Sequence, residues 1–506
     1  MADVLTEGTN LAVAPEVSLG TQPTTGWVNL QPNSYGDVGS SIKKVARTPI
    51  SKNRQNQQGI LVDLDSAAPW QADITKDLID LFMGGIFMSA VKHSGGTGQS
   101  KYEPTAVVDG GGAADSFSVP TNGALPQNTL IYVRGWANLA NNGVFVVAAG
   151  SDADSINVPT ASLVAESPVP TGVTPTIDVI GVQASVAADI QMDGSGNLIS
   201  TALDWTTKGL NVGQWIFIPP ASHGASFSFA NLAYYGFAMI EKIEATKLTL
   251  KNRQWTVGAA DNAAGKTIRV FFTKWCRNVA LDHADALKPS FQFEITYPDL
   301  GGAAVPEYEY AAGCLVDEWA MNVPLTDKAT VDLGFIGTNT ADPSTTRATG
   351  GSSAKNPLTQ IAVSSATDVP RLRIQNADET GITTDFKSLK ITFKNNVTPE
   401  KTVGTLGATR MNLGRFEVMV DADVLFTSSQ VVKAVRDNRT VSLVAALRNG
   451  DFACLVHVPS MTVMNTDRNF PTNQMVQLKT QASGFQDGLL GYTASMSVFG
   501  WLPATS

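Results

Sequence analysis

The residue types that do chemistry are few in this chain and poorly spaced for it. Four histidines, His93, His223, His283 and His457, are scattered, and none sits in an HExxH pattern or at zinc spacing from a cysteine. His283 lies in Asp282-His-Ala-Asp285, which could ligate a metal weakly but reads more simply as a loop histidine beside carboxylates. Asp193-Gly-Ser-Gly-Asn197 begins like a calcium loop, yet lacks the glycine at loop position six and the later bidentate Glu. Gly265-Lys-Thr267 ends like a phosphate-binding loop, but the earlier glycine would fall at Ala260 and no strand precedes it to aim its amides. There is no GxSxG. Asn438-Arg-Thr440 matches a glycosylation acceptor, which carries meaning only in a secreted protein. Cys276, Cys314 and Cys454 are odd in number and far apart, with no CxxC, so they read as buried reduced thiols. The expectation is no enzyme, no cofactor and no metal.

What the sequence does offer is sorted charge. Between residues 32 and 80 a polar, glycine-rich stretch leads into a basic run, Lys43, Lys44, Arg47, Lys52 and Arg54, with no acid between Ser40 and Gln58. An acidic half follows: Asp63, Asp65, Asp73, Asp77 and Asp80, relieved only by Lys76. Two copies stacked head to tail could set the basic half of one against the acidic half of the next, a heterologous interface that builds rings or filaments. The basic part, residues 40–58, is expected to be a loop.

Composition narrows the class. The 506 residues are 43% hydrophobic, enough for cores, but only 16% charged, with 44 glycines. Ordinary globular chains carry roughly 25% charged residues. The net charge of −9 disfavours a non-specific nucleic-acid binder. It is compatible with a protein that stays close to DNA without adhering. The first residues, MADVLTEGTN, show no secretory signal pattern, and no apolar run approaches the ~20 residues of a membrane span. Synthesis and folding in a cytoplasm, and no membrane partner, are expected.

The elements that would position these charges follow from periodicity. Residues 1–30 read as an N-terminal arm without a convincing element. Residues 59–65 form a strand. Asp73 is placed as the N-cap of a helix whose stripe is Ile74, Leu78, Leu81 and Phe82, ended by Gly84-Gly85. From about 103 to 273 the chain turns poor in charge. It holds an imperfect repeat: Ile131–Asn138, Asn142–Val147 and Asp154–Val158, then Trp215–Pro219, Tyr235–Ile240 and Ala245–Leu250. Two inserted all-β modules, Ig-like or similar, are expected at 104–181 and 182–273, joined by the Pro-rich Ser167–Pro175. Later, Phe291–Tyr297 is a strand. Tyr308/Tyr310 and Ala320–Val323 are expected to flank a turn, and 339–370 to be an exposed loop. Arg415–Phe426 alternates over twelve residues, with Phe416, Val418, Val420, Ala422, Val424 and Phe426 on the core side. Asp421 and Asp423 fit a solvated strand face better than a glycosidase pair. Ser428 is expected to cap a second helix, and Asn449-Gly450 to turn a hairpin. The fold class is mainly β: a sandwich or barrel core at 31–103 and 274–506, with the modules inserted.

Several segments resemble the major tail tube proteins of long-tailed, siphovirus-type bacteriophages. They are Arg47-Thr-Pro-Ile-Ser51, Arg54-Gln55, Gly59–Asp65, Ala72-Asp-Ile-Thr75, Tyr308–Cys314, Pro324–Thr330 and the closing strand, helix and hairpin. The resemblance covers the two ends and not the middle. It implies a virion structural protein made in the host bacterial cytoplasm, whose subunits form stacked hexameric rings and a hollow tube for DNA ejection. Tape-measure, tail terminator and tail-tip proteins would be its partners, and no catalytic residue carries over. On that basis Lys43, Lys44, Arg47, Lys52 and Arg54 are expected to dock onto Asp63, Asp65 and Asp73 of the neighbouring ring. Glu417, Asp421 and Asp423 are expected to face the lumen, where carboxylates repel phosphates. Two alternatives stand: another virion protein such as a head decoration, or a carbohydrate-binding adhesin using Trp136, Trp205, Trp215 and Trp255 as sugar platforms.

Overall fold

The structure is a computed structural model. It describes residues 6–504 apart from 48–49, 51, 53–54, 56, 96–100, 122, 171–172, 299–304, 349–353, 355–361, 377–380, 384 and 428. It is mainly β, and none of its sheets closes into a barrel. Within residues 1–30, Asn10–Pro15 (β1) is a strand, paired antiparallel along its whole length with residues 291–296. Leu11, Ala12, Val13 and Ala14 are all buried. The run is short and apolar on both faces, so it lacks the alternation by which a strand is usually recognised.

Gly39–Arg47 (β2) and Gln57–Ala67 (β3) pair as one hairpin, so the expected basic loop is largely a strand. Trp70–Asp73 (β4) follows, which places Asp73 in a strand rather than at a cap. The N-cap of α1 (Lys76–Phe87) is Thr75, whose side chain accepts from the Leu78 amide. Gly84-Gly85 does not end α1. The helix continues to Phe87 and stops at Met88, which adopts the left-handed conformation with φ 47°. The reason is packing. A Cβ at Gly85 would lie 2.9 Å from Val316 and 3.1 Å from Phe291, so glycine lets the helix sit against the sheet. Phe82 meets Phe291 and Phe335 at centroid distances of 5.0 and 5.2 Å, and Phe87 meets Phe393 at 5.4 Å. The helix is thus wrapped by strands from several parts of the chain.

Among the described residues, nineteen strands join in one branching sheet system. Glu307–Val323 (β5) runs unbroken through the expected turn. Its first half pairs with 291–297 and 339–344, its second half with Thr330–Gly337 (β6) and Phe386–Lys394 (β7). Gly313 sits at the changeover with φ +63°, and a Cβ there would lie 2.2 Å from the Thr338 hydroxyl. The glycine kinks a strand instead of ending it. Glu417–Leu425 (β8) pairs with β7, and Val418, Val420, Ala422 and Val424 are buried as the alternation requires. Helix α2 (Gln430–Arg436) has Ser429 as its N-cap, and Ser428 lies outside the described residues. Thr440–Asn449 (β9) and Phe452–Asn469 (β10) form the expected hairpin. Asn449 is still paired with Phe452, so the turn is Gly450-Asp451, shifted by one residue, with Gly450 at φ +55°. Gln477–Gly484 (β11) closes the layer between β8 and β10.

Residues 101–271 form a ten-stranded sheet and a three-stranded one. All six strands of the internal repeat are present, but the third differs between copies. Lys247–Lys251 pairs with its neighbour Gly236–Glu244, whereas Ser155–Val158 pairs with Asp115–Ser118. Thr176–Gln183 pairs with both Thr129–Arg134 and Arg269–Phe271, so one sheet runs through both halves. Trp136, Trp205, Trp215 and Trp255 are 4%, 0%, 0% and 6% exposed, which leaves no ring free to stack on a sugar. One face of the ten-stranded sheet, including Leu130, Ile180, Phe217 and Phe271, packs on Val444, Ala446, Leu455 and Phe499 of the nineteen-stranded system.

A buried ion cluster crosses this seam. Asp178 of the ten-stranded sheet is 1% exposed. It accepts from the Lys76 ammonium of α1 at 2.8 Å, with Lys274 and Arg134 each at 3.9 Å. Burial alone would raise the Asp178 pKa, but the Lys76 and Lys274 charges outweigh it and hold it at about 2. Asp178→Asn removes a buried counter-charge and is expected to cost about 3–5 kcal/mol. The sign with pH follows by linkage. A carboxylate depressed from 3.8 to about 2 stabilises above pH 4 and loses that contribution as pH falls toward 2. Burial likewise lowers His457 from 6.5 to about 3, so it too destabilises the fold as pH drops below 6.5. Melting temperature measured from pH 7 to pH 2 should fall throughout, and the D178N curve should be flatter below pH 4.

Candidate assembly interface

The β2–β3 hairpin is an arm. Residues 41–47 and 57–62 are exposed on both faces, and only its base, near Leu64 and Ser66, is buried. Ile42, Val45, Ile60 and Val62 are each about half exposed. Val45 faces Ile60 across the ladder, and Lys44 faces Leu61. A two-stranded ribbon with wet apolar side chains is marginal by itself and marks an interaction surface. Lys43, Lys44, Arg47 and Lys52 are exposed, and among the described residues none lies within ion-pair distance of a carboxylate. Arg54 lies outside the described residues.

The predicted acidic partners have partners within their own chain. Lys43 stands opposite Asp63 in register, so the sorted charges first meet across one hairpin. Lys401 then binds both acids, at 2.7 Å from Asp63 and 2.5 Å from Asp65. Its hydrogen bond lowers the Asp63 pKa, and the pair of carboxylates raises that of Lys401. Asp73 pairs with Lys328 at 2.8 Å and accepts from Asn33 at 2.6 Å. Neither lysine was marked by sequence reading. Lys401 lies some 340 positions from Asp63, and nothing local points to it.

The second predicted group is on one surface. Glu417, Asp421 and Asp423 lie on the solvated side of β8, opposite its buried valines. Sequence reading missed the lysines interleaved with them. Lys394 stands beside Glu417 and Lys390 beside Asp421 on β7, and Lys479 beside Asp423 on β11. The alternation of Phe386–Lys394 was the available signal. Continuing across the same register, Glu318, Asp332 and Asp467 extend the face. The positions named here carry six carboxylates against three ammonium groups.

The other chemistry considered has local explanations. Asp193 accepts from the Ser195 and Asn197 amides and from Lys247 at 2.9 Å, which fills the calcium-like loop. His283 accepts from the Asp285 amide at 3.0 Å. No cluster of three His, Cys, Asp or Glu residues suited to a metal occurs among the described residues. No described helix is long and apolar enough to cross a membrane.

The model of the family described as phage tail tube protein matches residues 6–480. The chain belongs to that family. No curated protein matches it. The match spans the nineteen-stranded system and the two smaller sheets of residues 101–271 alike, so both lie within the matched region of this tail tube protein. The family is a structural one, and the protein is a component of a phage virion tail.

Replacing Lys401 with Met should leave the fold nearly as stable, because exposed pairs contribute about 0–1 kcal/mol. The base of the arm should loosen, seen as faster amide hydrogen exchange in residues 57–67 with little change elsewhere. Unchanged exchange there would mean that Lys401 does not anchor the arm.

Proposed function

We propose that this tail tube protein forms hexameric rings that stack head to tail into a hollow tube, through which the phage genome passes at ejection. The observation that carries the reading is the exposed arm, whose cations and half-exposed aliphatic side chains are left without cover in a single subunit. Lys43, Lys44, Arg47, Lys52 and Arg54 dock onto the neighbouring ring. Of the acids expected to receive them, Asp63 and Asp65 share Lys401 and Asp73 holds Lys328, so a docking arm meets carboxylates whose charge is already partly offset within their own chain. Glu417, Asp421 and Asp423 line the lumen. Their face carries more acid than base, and repels phosphates while the lysines soften the field. The inserted modules, 104–181 and 182–273, form one outer decoration. Tape-measure, terminator and tail-tip proteins meet the ends of the tube, and assembly takes place in the bacterial cytoplasm.

Charge reversal of Lys43, Lys44 and Arg47 to Glu should abolish tubes in negative-stain images while circular dichroism and melting stay within error of the parent. Normal tubes from the triple variant would overturn the docking role. For the lumen, Asp421→Lys with Asp423→Lys should slow genome release in virions that assemble normally. An assembled ring with these carboxylates on its outer wall would refute the lumen assignment.

A further inference from the structure

We propose that a cavity between the two large sheets binds a small, uncharged ligand carrying a carboxamide. The ten-stranded sheet packs on the nineteen-stranded system through Phe217 and Phe271 against Val444, Ala446 and Leu455. Beyond that contact the seam opens into a cavity of about 510 Å3. Such a volume suits a small organic ligand, and the junction of two packed units is a common place for one. The change from contact to cavity is written in the strands. On β9, Ser442 lies two residues from Val444, and on β10, His457 lies two from Leu455, so both share the face of the apolar contact. Gln375, in the strand Arg371–Asn376, stands directly opposite Ser442. Ser442, His457 and Gln375 are buried, and all three line the cavity. Met239, Thr249 and Lys251 of the ten-stranded sheet form the facing wall.

The class of ligand follows from what these groups have left to bond. The Gln375 side-chain amide donates through Nε2 to Asn252 Oδ1 across the seam, which leaves Oε1 as an acceptor. That oxygen is buried, and no described residue donates to it. An acceptor left unpaired in a protein interior is costly, so a donor belongs beside it. Ser442, its opposite in the ladder with Cα atoms about 5 Å away, supplies a hydroxyl. A carboxamide donates through its N–H and accepts through its carbonyl in one plane, so it answers both groups together. Met239, Val441 and Leu490 offer apolar contact to the body that carries it. The charged groups around the cavity are already matched. Lys251 lies 3.9 Å from Glu241, and Lys242 lies 2.6 Å from Glu244. Asp487 accepts from the Ser460 hydroxyl and from the Leu489 and Leu490 amides at 2.7–2.9 Å. His457 meets Trp215 edge-on at 5.9 Å, and burial keeps its imidazole neutral. A charged ligand would lose its hydration without gaining a free counter-charge.

N-acetyl-leucinamide is the probe, since it joins two carboxamides to an isobutyl group and carries no charge. Titrated into the full-length subunit, it should bind saturably at about 1 mM, the range its size allows, in ligand-observed NMR. It should also raise the melting temperature as its concentration rises. N-acetyl-leucine, with a carboxylate in place of the terminal amide, should bind at least about tenfold more weakly. Gln375→Met removes the acceptor and Ser442→Ala the hydroxyl, and each should weaken binding of the amide by at least about tenfold. S442A is close to isosteric, so it keeps the test open if Q375M does not fold. No saturable binding to the unmodified chain, or binding that the folded variants leave unchanged, overturns the site. Equal binding of the acid and the amide overturns the ligand class. The tube reading stands or falls separately, on the charge reversal of the arm.

Discussion

Eight residues of β6 hold two pieces of one chain segment in a single ladder, Ser66–Ala67 at one end and Trp70–Asp73 at the other. Backbone groups in a buried sheet must be paired, so this register leaves little freedom. It fixes where the arm leaves the core and where α1 begins. The opposite side of β6 lies on β5, a strand of 17 residues, and through it the rest of the core follows. A slip of one residue would turn Val331, Leu333 and Phe335 out of the core and move the arm's root.

The packing around α1 explains how a helix sits inside a β protein. Phe82 and Phe87 face different strands, so one helix fastens layers that are far apart in sequence. Gly85 permits the close approach, and Gly313 lets β5 change partners without breaking. Both glycines were legible as residues, yet their meaning was not. Each reads locally as a stop signal, and only the neighbours in space make it a contact point or a kink.

Charge follows the same pattern. The acidic and basic halves of residues 32–80 were visible in the sequence, and the solvated face of β8 could be counted off by twos. The lysines that temper them could not be assigned. Lys401, Lys390 and Lys479 come from strands and loops brought close only by the ladders. The arm itself was readable as a charged segment but not as a hairpin, because its alternating side chains are wet on both faces and give no amphipathic signal.

The sequence by itself determined that this is a β-rich protein without catalytic spacing, with sorted charge near its start and a long half-buried strand near its end. Those properties are local: they rest on residue type and on a period of two. It also determined the family resemblance, through short segments at both ends. Only the tertiary structure decided which acid meets which base, that one sheet joins strands on both sides of Thr176–Gln183, and where the arm leaves the core. Such facts depend on pairings between residues tens to hundreds of positions apart, and no window along the chain contains both partners.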